Sequence, residues 1–452
     1  MSFVPGSAPD RVSLAIVGGT VVTMNPAREV VRADVLVEDG AVVALVPSGT
    51  PVPEGVRVVD ARGRTVIPGL VQAHIHLCQT LFRGLAEERP LLAWLRERIW
   101  PLEAAHDAES LRASARLGLA ELLLSGTTAI LDMGTVHHTG ELFRAAEESG
   151  IRYTGGQALM DRGEGVPAGL MQPTAEALAE SDALHARWDG AGDGRLGYAY
   201  TPRFILSCSA DLLRAVVERA RAGARVHTHA AEQREEIAAV RAELGCGDIE
   251  YFGRIGLTGP GLVLAHCVWT EEADLQELAR SGTHVAHCPA SNMKLASGLA
   301  PVRELRRRGI NVALGSDGGA CSNRLDTWSQ LWLAALIASA RDGAGALPAR
   351  EAFELATLGG ARALGLEGRI GSIEVGKRAD VAVVDLGRHE TDGDVYTGLV
   401  YSARAEDVRT TIVDGRVIVE EGRLLTMNAA SIRAEARAAR EAVLARAGLA
   451  TP

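Results

Sequence analysis

Four short segments carry groups suited to metal-assisted hydrolysis. They are His74-Ile75-His76, His227-Thr228-His229 with Glu232 three residues on, Ala265-His266-Cys267 and Gly315-Ser316-Asp317-Gly318. In a strand, alternate side chains share a face, so His74 and His76 point the same way, as do His227 and His229. Three imidazoles and one carboxylate suit one zinc, or another divalent metal such as iron, per chain. Such an ion lowers the pKa of a bound water toward neutrality and makes it a nucleophile. Glu232, just outside the ligands, can take and return protons. His266 can hydrogen-bond to the nucleophile or to charge developing on a substrate. Taken singly these signals are weak. An H-x-H pair can pack inside a barrel, His227 can serve in place of His229, and Asp317 lies in a Ser-Asp-Gly turn. Their joint placement at strand ends carries the reading.

The elements that must position them are legible between residues 67 and 374. There, short apolar runs alternate with longer amphipathic segments. Eight such runs occur: Thr65–His76, Thr127–Met133, Arg152–Leu159, Leu196–Phe204, Arg225–His229, Leu262–Cys267, His284–Cys288 and Asn311–Ser316. That rhythm predicts a (β/α)8 TIM barrel, whose strand ends meet at one mouth. Residues 1–66 and 375–425 read instead as short strands with Asp39-Gly40 and Asp414-Gly415 hairpin turns. They predict a small β-sandwich domain built by both chain ends, with the barrel inserted between. Residues 426–452, rich in Ala, Arg and Glu, predict a terminal helix. The fourth run ends in Thr201-Pro202-Arg203-Phe204. A lysine there would bridge two metals, and arginine does not, so one metal is expected.

Composition narrows the partners. The 452 residues carry a net charge of -10 with no Lys/Arg run, which argues against nucleic acid. No stretch reaches the ~20 apolar residues of a membrane span. Met1 to Pro9 lacks the basic and apolar regions of a secretory leader. The six cysteines are scattered, with no C-x-x-C pair, and read as reduced thiols of a cytoplasmic protein. The partner expected is a small-molecule substrate, and the layout is compatible with a homo-oligomer.

Longer segments add a resemblance. Val66-Ile67-Pro68-Gly69-Leu70-Val71 precedes the first histidine pair. His287-Cys288-Pro289-Ala290-Ser291-Asn292-Met293-Lys294-Leu295-Ala296-Ser297-Gly298 leads out of the seventh run, and Gly371-Ser372-Ile373-Glu374-Val375-Gly376-Lys377-Arg378-Ala379-Asp380 returns to the β domain. With these the chain resembles the amidohydrolase superfamily over nearly its whole length. Within it, the chain is similar to the deaminases of S-adenosylhomocysteine, 5'-methylthioadenosine and 5'-deoxyadenosine. The resemblance implies His74, His76, His229 and Asp317 as metal ligands. It implies Glu232 and His266, with Asp317, as the catalytic groups. Glu232 would protonate a ring nitrogen, activated water would add to the ring carbon, and ammonia would leave.

The resemblance also implies substrate contacts. Thr80-Leu81-Phe82-Arg83-Gly84, Trp94 and Trp100-Pro101-Leu102-Glu103 are spaced as in the adenosine-type enzymes, where the carboxylate at Glu103 meets ribose hydroxyls. His266 is implied as a substrate contact too. Two positions depart from that group. Arg203 stands where it usually has histidine, and Gln79 where it usually has methionine; both resemble guanine deaminase. Arg203 offers a planar fork of donors, and Gln79 both donates and accepts. The expectation is a zinc aminohydrolase acting on an adenine nucleoside. The alternatives are a guanine or other free-base deaminase and a triazine-type hydrolase. A silent scaffold barrel is disfavoured, because all four ligands and Glu232 are present.

Overall fold

The computed structural model describes residues 11–389 and 393–449. The leader reading at Met1 to Pro9 therefore lies outside the described residues. Eight parallel strands form the barrel: Leu70–His76, Thr127–Met133, Arg152–Gly156, Leu196–Pro202, Arg225–Ala230, Leu262–His266, His284–His287 and Val312–Leu314. The ring closes through Asp317 and Gly318, which pair with Ile75 and His76 of the first strand. Closure thus runs directly through the candidate metal ligands. Val71, Ala73, Ala129, Leu131, Ala199, Val263, Ala286 and Ala313 fill the interior beneath the mouth.

The first run is two strands rather than one. Thr65–Pro68 pairs antiparallel with Val381–Val384 in the chain-end sheet, and only Leu70–His76 enters the barrel. The break has a local cause. Pro68 has no amide hydrogen to donate. Gly69 lies so tightly on the second strand that a Cβ there would meet the Thr128 hydroxyl at 2.1 Å. The third run also breaks: Ala158–Leu159 forms a separate short strand on the fourth.

Strands from both chain ends join one sheet around a shared core of Leu14, Ile16, Val35, Val37, Val66, Val381 and Ile412. Asp39 and Gly40, both at positive φ, turn Val30–Glu38 into Ala41–Pro47. A buried arginine fastens this sheet to the barrel. Arg152, on the third barrel strand, donates to both oxygens of Asp380 at 2.9 and 3.0 Å and to Asp414 at 3.0 Å. The terminal helix, Ala429–Ala447, is capped by Asn428. It packs Val443 and Leu444 near Leu102 and Ala105, and Arg446 donates to the Ala105 carbonyl at 2.7 Å. No described helix is long and apolar enough to cross a membrane.

Candidate active site

The imidazoles are oriented by what lies behind them. His227 Nδ1 lies 3.0 Å from the Val263 carbonyl oxygen, which can only accept, so Nδ1 carries the hydrogen. A neutral His227 then accepts at Nε2, 2.7 Å from His74 Nδ1. His74 therefore donates from Nδ1 and turns a bare Nε2 to the mouth. His76 Nδ1 and His229 Nδ1 donate likewise to the carbonyls of Met133 at 2.8 Å and Arg203 at 2.6 Å. This is the outer-shell arrangement that fixes metal-binding imidazoles. His227 itself sits behind His74, while His229 joins the ring of donors.

The bare nitrogens converge. His76 Nε2 is 3.3 Å from His229 Nε2, and Asp317 Oδ1 is 3.4 Å from His74 Nε2 and 3.5 Å from His76 Nε2. Burial drives the pKa of His74 down to about 4 and that of His229 well below its usual value, so both imidazoles are neutral. Asp317 is positioned by Ser291 Oγ, which donates to Oδ2 at 2.6 Å, and by a backbone φ of +60°. His266 is held at a φ of +73°. Left-handed backbone at two such residues stores about 1–3 kcal/mol each. His74 Nε2 and His266 Nε2 are buried with no hydrogen-bond partner. Orphaned buried nitrogens are costly, and a divalent ion at this neutral-imidazole, single-carboxylate set would satisfy the first of them. The residues present fit a metal.

Glu232 and His266 stand beside the donors. Glu232 Oε2 is 3.5 Å from His266 Nε2, and His266 Nδ1 is 2.8 Å from Asn292 Oδ1. Burial, reinforced by the Asp317 charge, pushes the Glu232 carboxyl well above its usual value. Glu236 Oε2 accepts the backbone N–H groups of Glu232 and Gln233 at 3.1 and 3.3 Å, fixing the turn that carries Glu232.

A narrow cavity opens onto this centre. Its polar wall includes Gln79, Arg203, Glu232 and His266, and its apolar wall Leu91, Trp94, Leu95, Phe204 and Leu295. The lining helix runs from Leu91 to Ala104 through a π-helical turn at Leu95–Ile99, a feature common at functional sites. It brings Trp94 to the cavity and sets Glu103 one layer behind. There Arg203 makes a two-pronged ion pair with Glu103, and Gln79 Nε2 donates to Glu103 Oε1 at 2.9 Å. The sugar-binding candidate and the two base-binding candidates thus form one buried network. Gln79 Oε1 is buried and unpartnered.

Sequence reasoning gave no role to Ser291, Asn292, Glu236 or Ser297, whose Oγ donates to Glu232 Oε1 at 3.4 Å, and offered His227 as an alternative to His229 or as a packing residue rather than as the support of His74. Ser291 and Asn292 stood in the segment quoted for the resemblance, and their polar side chains beside an apolar strand were the available signal.

With the geometry in view, the comparisons are specific. The pattern described as the amidohydrolase family matches residues 65–418. The chain is 39% identical over 438 residues to a 5'-deoxyadenosine deaminase of Methanosarcina acetivorans, covering 94% of this chain and 97% of that one. It is 40% identical over 443 residues to a 5-methylthioadenosine/S-adenosylhomocysteine deaminase of Halobacterium salinarum, covering 96% and 99%. A zinc-bound adenosine deaminase from Xanthomonas campestris superposes with a TM-score of 0.90 at 33% identity, over 97% of this chain and 100% of that chain.

Proposed function

This chain belongs to the amidohydrolase family and is a hydrolase acting on carbon–nitrogen bonds, and we propose that it deaminates an adenine nucleoside of the 5'-deoxyadenosine, 5'-methylthioadenosine or S-adenosylhomocysteine type with one zinc ion. The observation that carries the reading is the Glu232–His266 pair, 3.5 Å apart, beside a four-donor set.

His74, His76, His229 and Asp317 would hold the ion. A divalent metal bound there supplies Lewis-acid activation of water at neutral pH. Glu232, protonated at rest, delivers its proton to the ring nitrogen beside the amino-bearing carbon and makes that carbon electrophilic. It then takes a proton from the attacking water and passes it to the departing amine. His266, whose Nδ1–H is held by Asn292, offers Nε2 as acceptor to the water. Trp94, Phe204 and Leu295 give a flat heterocycle an apolar seat and keep bulk water out. Arg203 and Gln79, held by Glu103, face the polar edge of the base or its sugar.

The two deaminases that match nearly the whole chain support the nucleoside class. A free base such as guanine is the second reading, favoured by Gln79 and Arg203 among the residues lining the cavity, side chains that suit the amide-like edge of such a base. The test is ammonia release by the zinc-loaded protein from 5'-deoxyadenosine, 5'-methylthioadenosine, S-adenosylhomocysteine, adenosine, guanine and a chlorotriazine. Turnover of the nucleosides is expected. Turnover of guanine alone, or of the triazine alone, overturns the nucleoside reading.

A further inference from the structure

We propose that the catalytic mouth contains a second, overlapping donor set, His74–His266–Cys288, which captures a soft thiophilic ion such as Cd²⁺. The inference rests on the reading that this mouth binds a divalent metal, and it concerns which of two sets such an ion takes.

The ligand atoms of His74, His266 and Cys288 lie within 4.8 Å of one another, as do those of His74, His76 and His229. All three residues are buried, and His74 Nε2 and His266 Nε2 have no hydrogen-bond partner. The Cys288 thiol makes weak contacts, its S–H to the Ala286 carbonyl 3.6 Å away and its sulfur to the His266 backbone N–H. Two imidazoles with an unpartnered nitrogen and one weakly held thiol therefore lie close together. The backbone brings them there. Gly315 lets the eighth strand run close between the first and seventh: a Cβ on it would meet the His74 carbonyl oxygen at 2.7 Å and Cys288 Sγ at 3.1 Å. Asn292 turns His266 so that Nε2 faces inward.

Ligand softness separates the two sets. Imidazoles and a carboxylate suit zinc, whereas a thiolate with imidazoles favours a softer ion. His74 belongs to both sets, so an ion fully ligated in one excludes an ion fully ligated in the other. Binding in the sulfur set releases the thiol proton to solvent, one per ion. It also draws His266 away from Glu232 and so disables the proton-handling pair. The plain alternative, in which Cys288 is a small core side chain, predicts no sulfur contact at all.

The test uses the full-length, metal-stripped protein with one equivalent of Cd²⁺. Bound cadmium is counted by elemental analysis, and its neighbours are read by cadmium X-ray absorption and thiolate-to-cadmium ultraviolet absorption. The wild type is expected to show a sulfur neighbour, and Cys288→Ser to hold cadmium without one. Cys267→Ser, at a buried thiol next to His266 but outside the set, is expected to match the wild type. Cadmium bound through nitrogen and oxygen alone in the wild type overturns the proposal and leaves the metal-centre reading intact. So does a sulfur neighbour that survives in Cys288→Ser. A wild type that binds no cadmium overturns both. Should Cys288→Ser fail to fold, the wild type and Cys267→Ser decide between sulfur and no sulfur by themselves.

Discussion

Arg203→Met isolates what the buried ion pair does. The Glu103 side chain is 0% exposed and that of Arg203 5%, and the guanidinium engages both carboxylate oxygens. Without it, Glu103 keeps one strong donor, Gln79 Nε2. Removing one partner of a buried pair costs about 3–5 kcal/mol, because a charge is left uncompensated. The pH dependence gives the sign. Burial alone would raise the Glu103 carboxyl, but Arg203 outweighs it and holds the group below its usual value. The wild-type pair therefore contributes fully above the unfolded pKa of about 4.3 and fades as pH falls through the lower, folded value. In Arg203→Met burial dominates and the carboxyl rises above its usual value. The penalty is then full at neutral pH and shrinks on acidification, as the group folds neutral. The gap in stability between wild type and variant should narrow between about pH 8 and about pH 5. Adding Glu103→Gln should recover most of the loss by removing the charge. Urea unfolding midpoints of the wild type and of the single and double variants measure all of this. A loss under about 1 kcal/mol at the higher pH, a gap that widens with acid, or a double variant as weak as the single one would refute the argument.

Three further outcomes are expected. Glu232→Gln should lose about 10²–10⁴-fold in ammonia release with unchanged metal content by elemental analysis; near-normal turnover removes Glu232 from the proton path. His227→Leu should strand the His74 Nδ1 hydrogen and weaken metal binding about 10–100-fold in competition with a chelator; unchanged affinity would show that the relay does not orient His74. Arg152→Met should leave Asp380 without its principal partner at the seam between barrel and chain-end sheet. That should cost about 3–5 kcal/mol in urea unfolding, and an unmoved midpoint would mean that apolar contacts alone hold the seam.

The barrel was legible because strand alternation and βαβ rhythm are local. His74 and His76 had to share a face, and all eight barrel strands coincide with the core of a run. Boundaries were less legible. Thr65–His76 read as one strand because its apolar residues run on through Gly69, and nothing local announces that Thr128 occupies the space beside it. The candidate metal donors were legible as types at strand ends, and the fold brings them together. Their supports were not. Asn292 meets His266, and Ser291 meets Asp317, across gaps of 26 residues, and no short-range pattern encodes such contacts. Arg203 and Glu103, 100 residues apart, were read as separate substrate contacts because a sequence lists charges without saying which neutralise each other.

That neutralisation bears directly on the candidate metal centre. His74, His76 and His229 are neutral and Asp317 is anionic, so the donor set presents a single negative charge to a dication. Arg203 is near enough to His76 to help lower its pKa, after the larger effect of burial. Its backbone carbonyl also holds His229. An unpaired guanidinium at that distance would oppose the same ion that its own carbonyl helps to seat. Glu103 cancels the charge and leaves the carbonyl in place. An arginine just after the fourth strand is therefore compatible with a metal at this mouth only together with a buried acid. On that reasoning Glu103→Gln alone should weaken metal binding, although Glu103 touches no donor, whereas Arg203→Met/Glu103→Gln should restore it. Chelator competition on the two variants separates this from a purely structural role, in which the double variant would bind metal no better than the single one.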